Sequence, residues 1–369
     1  MKNVYGNMLT LSLFGESHGD AIGAVLDGLS PGIFVDEEAI ARELTRRRPQ
    51  DGTGTSRREP DLFVIESGVY EKHTTGAPLC IRIPNTQQHS ADYTQMQHIA
   101  RPGHSDYPAF CKYHGYADVR GGGHFSGRIT AALVAAGAIV YDALEQKGIR
   151  IGTHLSRCAG VDDLAFDTAE MAAQAEALRH SAFPTLSSQA GEQMRAQILR
   201  ARADGDSVGG IAETVVLGLP AGLGEPWFDT VEGMLSHGLF SVPAVKGVEF
   251  GLGFALADLR GSVSNDPYRV CGDKIQTDGN KNGGIGGGIT NGMPLVFRCA
   301  IKPTPSIAQP QETVDFRANE NVTLRISGRH DPCIAPRACP VIDAITALTV
   351  ADLLLMRLGD DALGPGEVR

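Results

Sequence analysis

The sequence predicts an α+β fold built by internal duplication, and three observations point there. Strand-like and helix-like segments do not alternate strictly, which disfavours a doubly wound parallel sheet. A sixteen-residue segment recurs: Ser17 to Gly32 reads SHGDAIGAVLDGLSPG and Ser207 to Gly222 reads SVGGIAETVVLGLPAG, with six identities at a constant offset of 190. Two later segments follow in the same order. Gly76-Ala-Pro-Leu-Cys-Ile-Arg82 is echoed by Gly292-Met-Pro-Leu-Val-Phe-Arg298, and Arg101-Pro-Gly-His-Ser-Asp106 loosely by Gly328-Arg-His-Asp-Pro332. After each comes an arginine, Arg128 or Arg337, at the mouth of a long apolar helix. The halves lie near 1–150 and 205–358 of one domain, and a pseudo-two-fold arrangement would gather their loops around a pocket.

In chain order, β-rich runs bounded by Gly, Pro, Asn or Asp predict strands at 8–14, 23–27, 62–67, 79–84, 212–219, 245–250, 295–301 and 322–327. Helices are expected at 36–47, 127–147, 228–239 and 340–358. The helix from Gly127 is apolar nearly all round and should be buried, with Gly148 ending it. In the last helix Ala344, Leu348, Ala351, Leu355 and Leu358 form one stripe. The connector 151–205 reads as an external insertion of two amphipathic helices, 167–180 and 188–203, with Asp167 and Ser188 as caps. Residues 359–369 read as a loose tail.

Composition narrows the function. With 42% apolar residues the chain can bury a sizeable core, and a net charge of −10 argues against general affinity for nucleic acid. The apolar run 129–141 is shorter than the ~20 residues of a membrane span, and the N-terminus lacks the apolar stretch of a signal peptide. Seven scattered cysteines without a Cys-x-x-Cys pair suggest reduced thiols in a cytoplasmic protein. Arginine outnumbers lysine 25 to 8, and several arginines sit beside Gly or Pro: Arg47, Arg48, Arg101, Arg128, Arg329 and Arg337. Guanidinium is the bidentate partner of carboxylate and phosphate, so an acidic protein with a local basic pocket for a small polyanion is expected.

Six segments could carry chemistry. Gly121-Gly-Gly-His-Phe-Ser-Gly-Arg128 lets backbone approach a ligand, and the helix start behind Ser126 favours an anion. It is not a P-loop, and the chain has no Gly-x-Gly-x-x-Gly. In Phe14-Gly-Glu-Ser-His-Gly19, His18 ends a predicted strand where it could move a proton near neutral pH. The turns around His104 and around Arg329, His330 and Asp331 combine Arg, His and Asp, which suits anion binding with proton transfer. The glycines 283–292 and the turn Lys302-Pro-Thr-Pro-Ser306 could cradle a flat, phosphorylated cofactor. No metal site is expected, because none of the histidines forms His-x-x-x-His and the cysteines are not grouped.

These segments together resemble the chorismate synthase family over nearly the whole chain. GESHG, RRRP, RPGH-x-D, RGGG-x-x-S-x-R, AGLGEP, AVKGVE, GGI-x-GGI, KPT-x-S and GRHDPC occur in the family's order. The resemblance implies a β-α-β sandwich, usually a homotetramer. It also implies a lyase of the shikimate pathway to aromatic amino acids, which converts 5-enolpyruvylshikimate 3-phosphate to chorismate and phosphate by 1,4-anti elimination and requires reduced FMN.

Carried onto this sequence, the resemblance makes His18 the proton donor to the departing phosphate and His104 the donor near flavin N1. Asp331 would help flavin N5 act as base toward the C6 hydrogen, and Ser17 and Ser126 would support proton movement. His124, Phe125, Ser126, Pro243, Ala244, Gly287, Lys302, Pro303, Thr304, Pro305, Ser306 and Arg329 match FMN-binding positions. Arg47 matches a residue linked to NADPH, the candidate reductant, while Arg48, Arg128 and Arg337 are candidate substrate clamps. Two departures stand out. Gln50 to Gly54 lacks an arginine that some members carry, and His124-Phe125-Ser126-Gly127 replaces Arg-Ser-Ser-Ala. An external flavin reductase is therefore a candidate partner. The residues also leave room for an NADPH-dependent flavin reductase and for a non-catalytic phospho-metabolite- or flavin-binding module.

Overall fold

The computed structural model describes residues 3–49, 52–54, 59–86, 98–326 and 330–365. Two antiparallel five-stranded sheets enclose a layer of helices. The first sheet runs in the order Val4–Tyr5, Thr10–Gly15, Ala21–Asp27, Leu79–Pro84, Val64–Ser67. The second runs Val245–Phe250, Leu295–Ile301, Gly210–Leu217, Arg150–Cys158, Val161–Asp162.

The four longer strands of each sheet follow one plan. In chain order, the first two pair with each other, a helix follows, and the fourth inserts between the second and third. A long helix then closes each unit, Thr130–Gln146 or Ala335–Leu358. The duplication expected from the echo and the β-α-β sandwich implied by the resemblance are therefore both present in the topology.

Alternation sets which face each sheet buries. Ile22, Ala24 and Leu26 pair in register with Ile83, Ile81 and Leu79, and all six are buried. In the second sheet Ala212, Thr214 and Val216 oppose Cys299, Phe297 and Leu295, again all buried. The two long helices lie against each other between these faces. They come so close that a Cβ on Gly137 would stand 2.4 Å from the Ala344 Cβ, so only glycine fits there. Both helices are long and apolar enough to cross a bilayer by length and composition, yet they are buried in the interior. Ala335–Leu358 is buried on every side from Ala338 to Leu355, so the one-sided stripe understates its packing.

Several expectations change. The last helix begins at Ala335, with Pro336 in its first turn and Pro340 inside, where burial of the surrounding residues offsets the lost N–H bond and the crowding of the ring against the preceding turn. The connector opens with Arg150–Cys158, a buried strand of the second sheet that the sequence reading did not assign. Its helices are Met171–Arg179 and Ser188–Ala203. The second is capped by Ser187 rather than Ser188, and Asp167 caps neither. The tail is docked through residue 365: Leu363 is buried, Lys147 donates to the Gly364 carbonyl at 2.7 Å, and Ser30 donates to the Asp360 carbonyl.

Candidate active site

The loops before the two long helices meet at one end of the helical layer. In the first, Gly121, Gly122 and Gly123 all have positive φ, a run that side chains would strain. A Cβ on Gly121 would fall 2.1 Å from His18 Cε1 and 3.1 Å from Ser17 Oγ. A Cβ on Gly122 would lie 3.7 Å from His104 Cε1 and 3.8 Å from the Ser126 Cβ. The glycine turn thus holds His18 on one side and His104 on the other. The Ser17 N–H donates to the Gly123 carbonyl at 3.1 Å, and His124 Nδ1 meets the Gly15 carbonyl at 2.8 Å, fixing turn to strand end.

Past the turn, Ser126 caps the helix start by accepting from the Arg128 N–H at 3.3 Å. Arg128 is buried. Its Nε donates to Asn85 Oδ1 at 3.0 Å, its Nη1 pairs with Asp61, and its Nη2 has no partner among the described residues. Asp61 also faces Arg47 at 3.7 Å and Arg48 at 3.5 Å, so one carboxylate balances three guanidiniums. Arg47 is buried, donating to Thr130 Oγ1 and the Gly127 carbonyl, each at 2.9 Å. Burial and then the Arg337 charge push its pKa down to about 9, against the pull of Asp61, which leaves it cationic at neutral pH. Arg337 donates to Asp331 at 2.5 Å and to the Arg47 carbonyl at 3.0 Å, tying the second loop to the end of the helix Glu37–Arg47.

These groups line a cavity of about 240 Å³ with Arg48, Ser126, Arg128, Pro243, Thr304, His330, Asp331 and Arg337 on its walls. Thr304 Oγ1 and His330 Nε2, like Arg128 Nη2, are buried without a partner among the described residues, so a polar ligand suits it. Burial and the nearby Arg101 charge hold His330 below the usual imidazole range.

A second cavity, about 460 Å³, shares Ser126, Thr130, Val242 and Pro243 with the first. Leu13, Phe125, Ile129, Leu133 and Val245 make it apolar, while His124 and Ser126 supply polar edges. One wall is the turn 242–245, where Ala244 sits at φ 75°. A non-glycine residue there costs about 1–3 kcal/mol and is characteristic of ligand clamps. Size and lining fit a flat heteroaromatic ring with a polar tail.

The expected residues converge in part: Ser17, His18 and His104 flank the glycine turn but line neither cavity. Ser126, Pro243, Thr304, Asp331, Arg47, Arg48, Arg128 and Arg337 line the first cavity, and His124, Phe125, Ser126, Pro243 and Ala244 the second. Lys302 donates to the Gly103 carbonyl, Pro305 packs on Gly103 and Ser306 is buried, which sets this turn beside His104. Pro303 packs against Gly209. Gly287 sits on the hairpin joining Ile285–Gly286 to Ile289–Thr290 and lines neither cavity. Arg329 lies outside the described residues. Sequence reasoning missed Asp61, Asn85 and Glu59. A Pro60-Asp61 turn beside so many arginines was the available signal, because buried guanidiniums require a counter-charge.

Comparison with known proteins agrees with this geometry. The profile of the family described as Chorismate synthase matches residues 9–355. The chain is 47% identical over 353 residues to the chorismate synthase of Thermococcus kodakarensis, covering 95% of this chain and 97% of that one. It is 43% identical over 355 residues to that of Archaeoglobus fulgidus, covering 96% and 98%. A crystal structure of chorismate synthase superposes with a TM-score of 0.76 at 29% identity, over 96% of this chain and 94% of that chain. The chain belongs to the chorismate synthase family and is a lyase that forms chorismate from 5-enolpyruvylshikimate 3-phosphate.

Proposed function

We propose that the elimination takes place where the two cavities join, with reduced FMN in the apolar one and the substrate in the arginine-lined one. The observation that carries this reading is the glycine turn. It holds His18 and His104 on its two sides and runs directly into Ser126 and Arg128 on the cavity walls. His124, Phe125, Ser126, Pro243 and Ala244 would hold reduced FMN, which would supply electron density for cleavage of the carbon–oxygen bond.

The chain's own residues do the rest. Arg48, Arg128 and Arg337 hold the substrate's carboxylates and phosphate, and their grip tightens as charge gathers on the leaving group. His18 gives that phosphate its proton, with Ser17 beside it against the turn. His104 holds a proton on the cofactor side, and Asp331, oriented by Arg337, would help N5 of the bound flavin act as base toward the C6 hydrogen. Ser126 and the helix start behind it bind the anionic tail together with Lys302 and Thr304. His124, Phe125, Pro243 and Ala244 wall the ring and exclude water.

Arg47 has its nitrogens engaged by Thr130, Gly127 and Asp61, which favours an external flavin reductase over NADPH at that residue. The exposed Trp227, Phe228, Phe254 and Val270 support self-association, with the homotetramer being the state the family resemblance implies.

Anaerobic incubation with the enolpyruvyl substrate and photoreduced FMN tests the reading. Phosphate release without net consumption of reductant is expected, and His18→Ala or His104→Ala should lower turnover by roughly 10²–10⁴-fold with ligand binding kept. Reductant consumed in proportion to product would identify a flavin reductase instead.

A further inference from the structure

The turn that carries His104 is tied down by a carboxylate to which no role has yet been given. Asp106 opens the helix Asp106–Tyr113, and Arg101 grips it three times. The Arg101 backbone N–H and Nε donate to Oδ2 at 2.9 and 2.8 Å, and Nη2 donates to Oδ1 at 2.6 Å. Oδ1 also stands 2.9 Å from His104 Nδ1. Burial opposes ionisation, but the bonds from Arg101 and His104 outweigh it and hold the carboxyl well below its usual range.

An ionised carboxylate only accepts hydrogen bonds. Its contact with Nδ1 is therefore a bond only if that nitrogen carries the hydrogen. A rival arrangement exists, because Arg101 Nη2 lies 3.1 Å from the same nitrogen and could donate to it. That arrangement would set the bare Nδ1 lone pair against Oδ1 at 2.9 Å, while the nearer and stronger acceptor for Nη2 is Oδ1 itself.

We infer that Asp106 is a positioning residue, fixing the hydrogen of His104 on Nδ1 and making Nε2 the nitrogen that gives or takes a proton at the site. The ring edge carrying Nε2 faces Gly122, where a Cβ would lie 3.8 Å from it, on the same turn whose other side is filled by His18. The neighbouring charges are accounted for. Arg101 is spent on Asp106, Lys302 donates to the Gly103 carbonyl, and His330 is held toward its neutral form by burial and Arg101. The inference deepens the proposed reaction and rests on it. It gives His104 one tautomer, one orientation and a half-buried counter-charge when it is protonated.

Nitrogen-15 NMR of the full chain, labelled at histidine and without ligands, tests it without any variant that might misfold. With His104→Gln as the assignment control, the neutral ring is expected to show hydrogen on Nδ1 and a bare Nε2. Hydrogen on Nε2 would overturn the inference. In the loaded enzyme, Asp106→Asn should lower kcat by roughly 100-fold or more while KM moves less than about threefold. Asp106→Glu should recover at least about tenfold of that loss, because it restores the acceptor-only group. An Asn variant turning over like the parent overturns the inference too. A parent enzyme that releases no phosphate would instead defeat the reaction reading, and the tautomer spectrum would still decide what Asp106 does.

Discussion

In the first repeat the turn after its opening strand carries Ser17-His18, and the Ser17 N–H donates to the Gly123 carbonyl of the loop ahead of the long helix at 3.1 Å. The corresponding turn of the second repeat carries Ser207-Val208, and there the Val208 N–H donates to the Pro332 carbonyl at 2.8 Å, again ahead of a long helix. Backbone docking is kept in both, but a histidine stands in one repeat where a valine packs in the other. Arginine persists at both helix mouths with different partners. Arg128 is buried against Asp61 and Asn85, whereas Arg337 shares the rim of the cavity with Asp331. The duplication thus supplies a symmetric cradle for an anion, and side-chain changes have divided its chemistry. The first repeat holds His18 and His104, and the second supplies His330, the carboxylate Asp331 and the Lys302 turn.

Three changes would break or sharpen that contrast. The largest effect is expected from Asp61→Ala, which leaves three guanidiniums facing one another without a counter-charge. Stability should fall by about 3–5 kcal/mol, measured by denaturant unfolding, whereas Asp331→Ala at the rim should act mainly on turnover. A loss for Asp61→Ala no larger than for Asp331→Ala would erase the distinction between buried and rim arginines.

Next comes Gly121→Ala, whose methyl would strike His18 at a backbone φ of 59°. Turnover should drop roughly tenfold to a hundredfold, with about 1–2 kcal/mol of destabilisation. Unchanged turnover would mean that the turn does not position His18.

The smallest effect concerns the second sheet, where buried His154 bridges Asp163 at 2.9 Å and Glu213 at 3.3 Å. Burial alone would lower its pKa, but the two carboxylates outweigh this and raise it. A raised folded value means that the stabilisation is complete below about 6.5, the ordinary imidazole value, and fades as pH climbs through the folded one. Tm should therefore decline on the alkaline side, by roughly 1–2 °C for each kcal/mol lost, and His154→Gln should flatten that decline. The same slope in parent and variant would remove His154 as its source.

Much of this molecule follows from short-range patterning. The strands at 79–84, 245–250 and 295–301 appear with the expected bounds, because alternation and turn residues act over a few positions. Asp36 caps its helix through the Glu38 N–H as its place before an amphipathic run implies, and Ser126 caps the turn into the buried helix. The misses share one origin, since each needed partners distant in sequence. Arg150–Cys158 is polar at its start and becomes a strand because Gly210–Leu217 pairs along it. The tail is fixed by contacts with Ser30 and Lys147.

By itself the sequence determined the duplicated frame, the glycine turn, and the histidines and arginines from which the site is made. Those depend on composition and spacing that any observer of the chain can count. Only the tertiary structure decided that Asp61 balances Arg47, Arg48 and Arg128 on one cavity wall while Asp331 pairs with Arg337 on another, and that Asp106 stands against His104. The reason is electrostatic: a charge takes its role from the groups within a few ångströms of it, and folding brings those groups from distant parts of the chain.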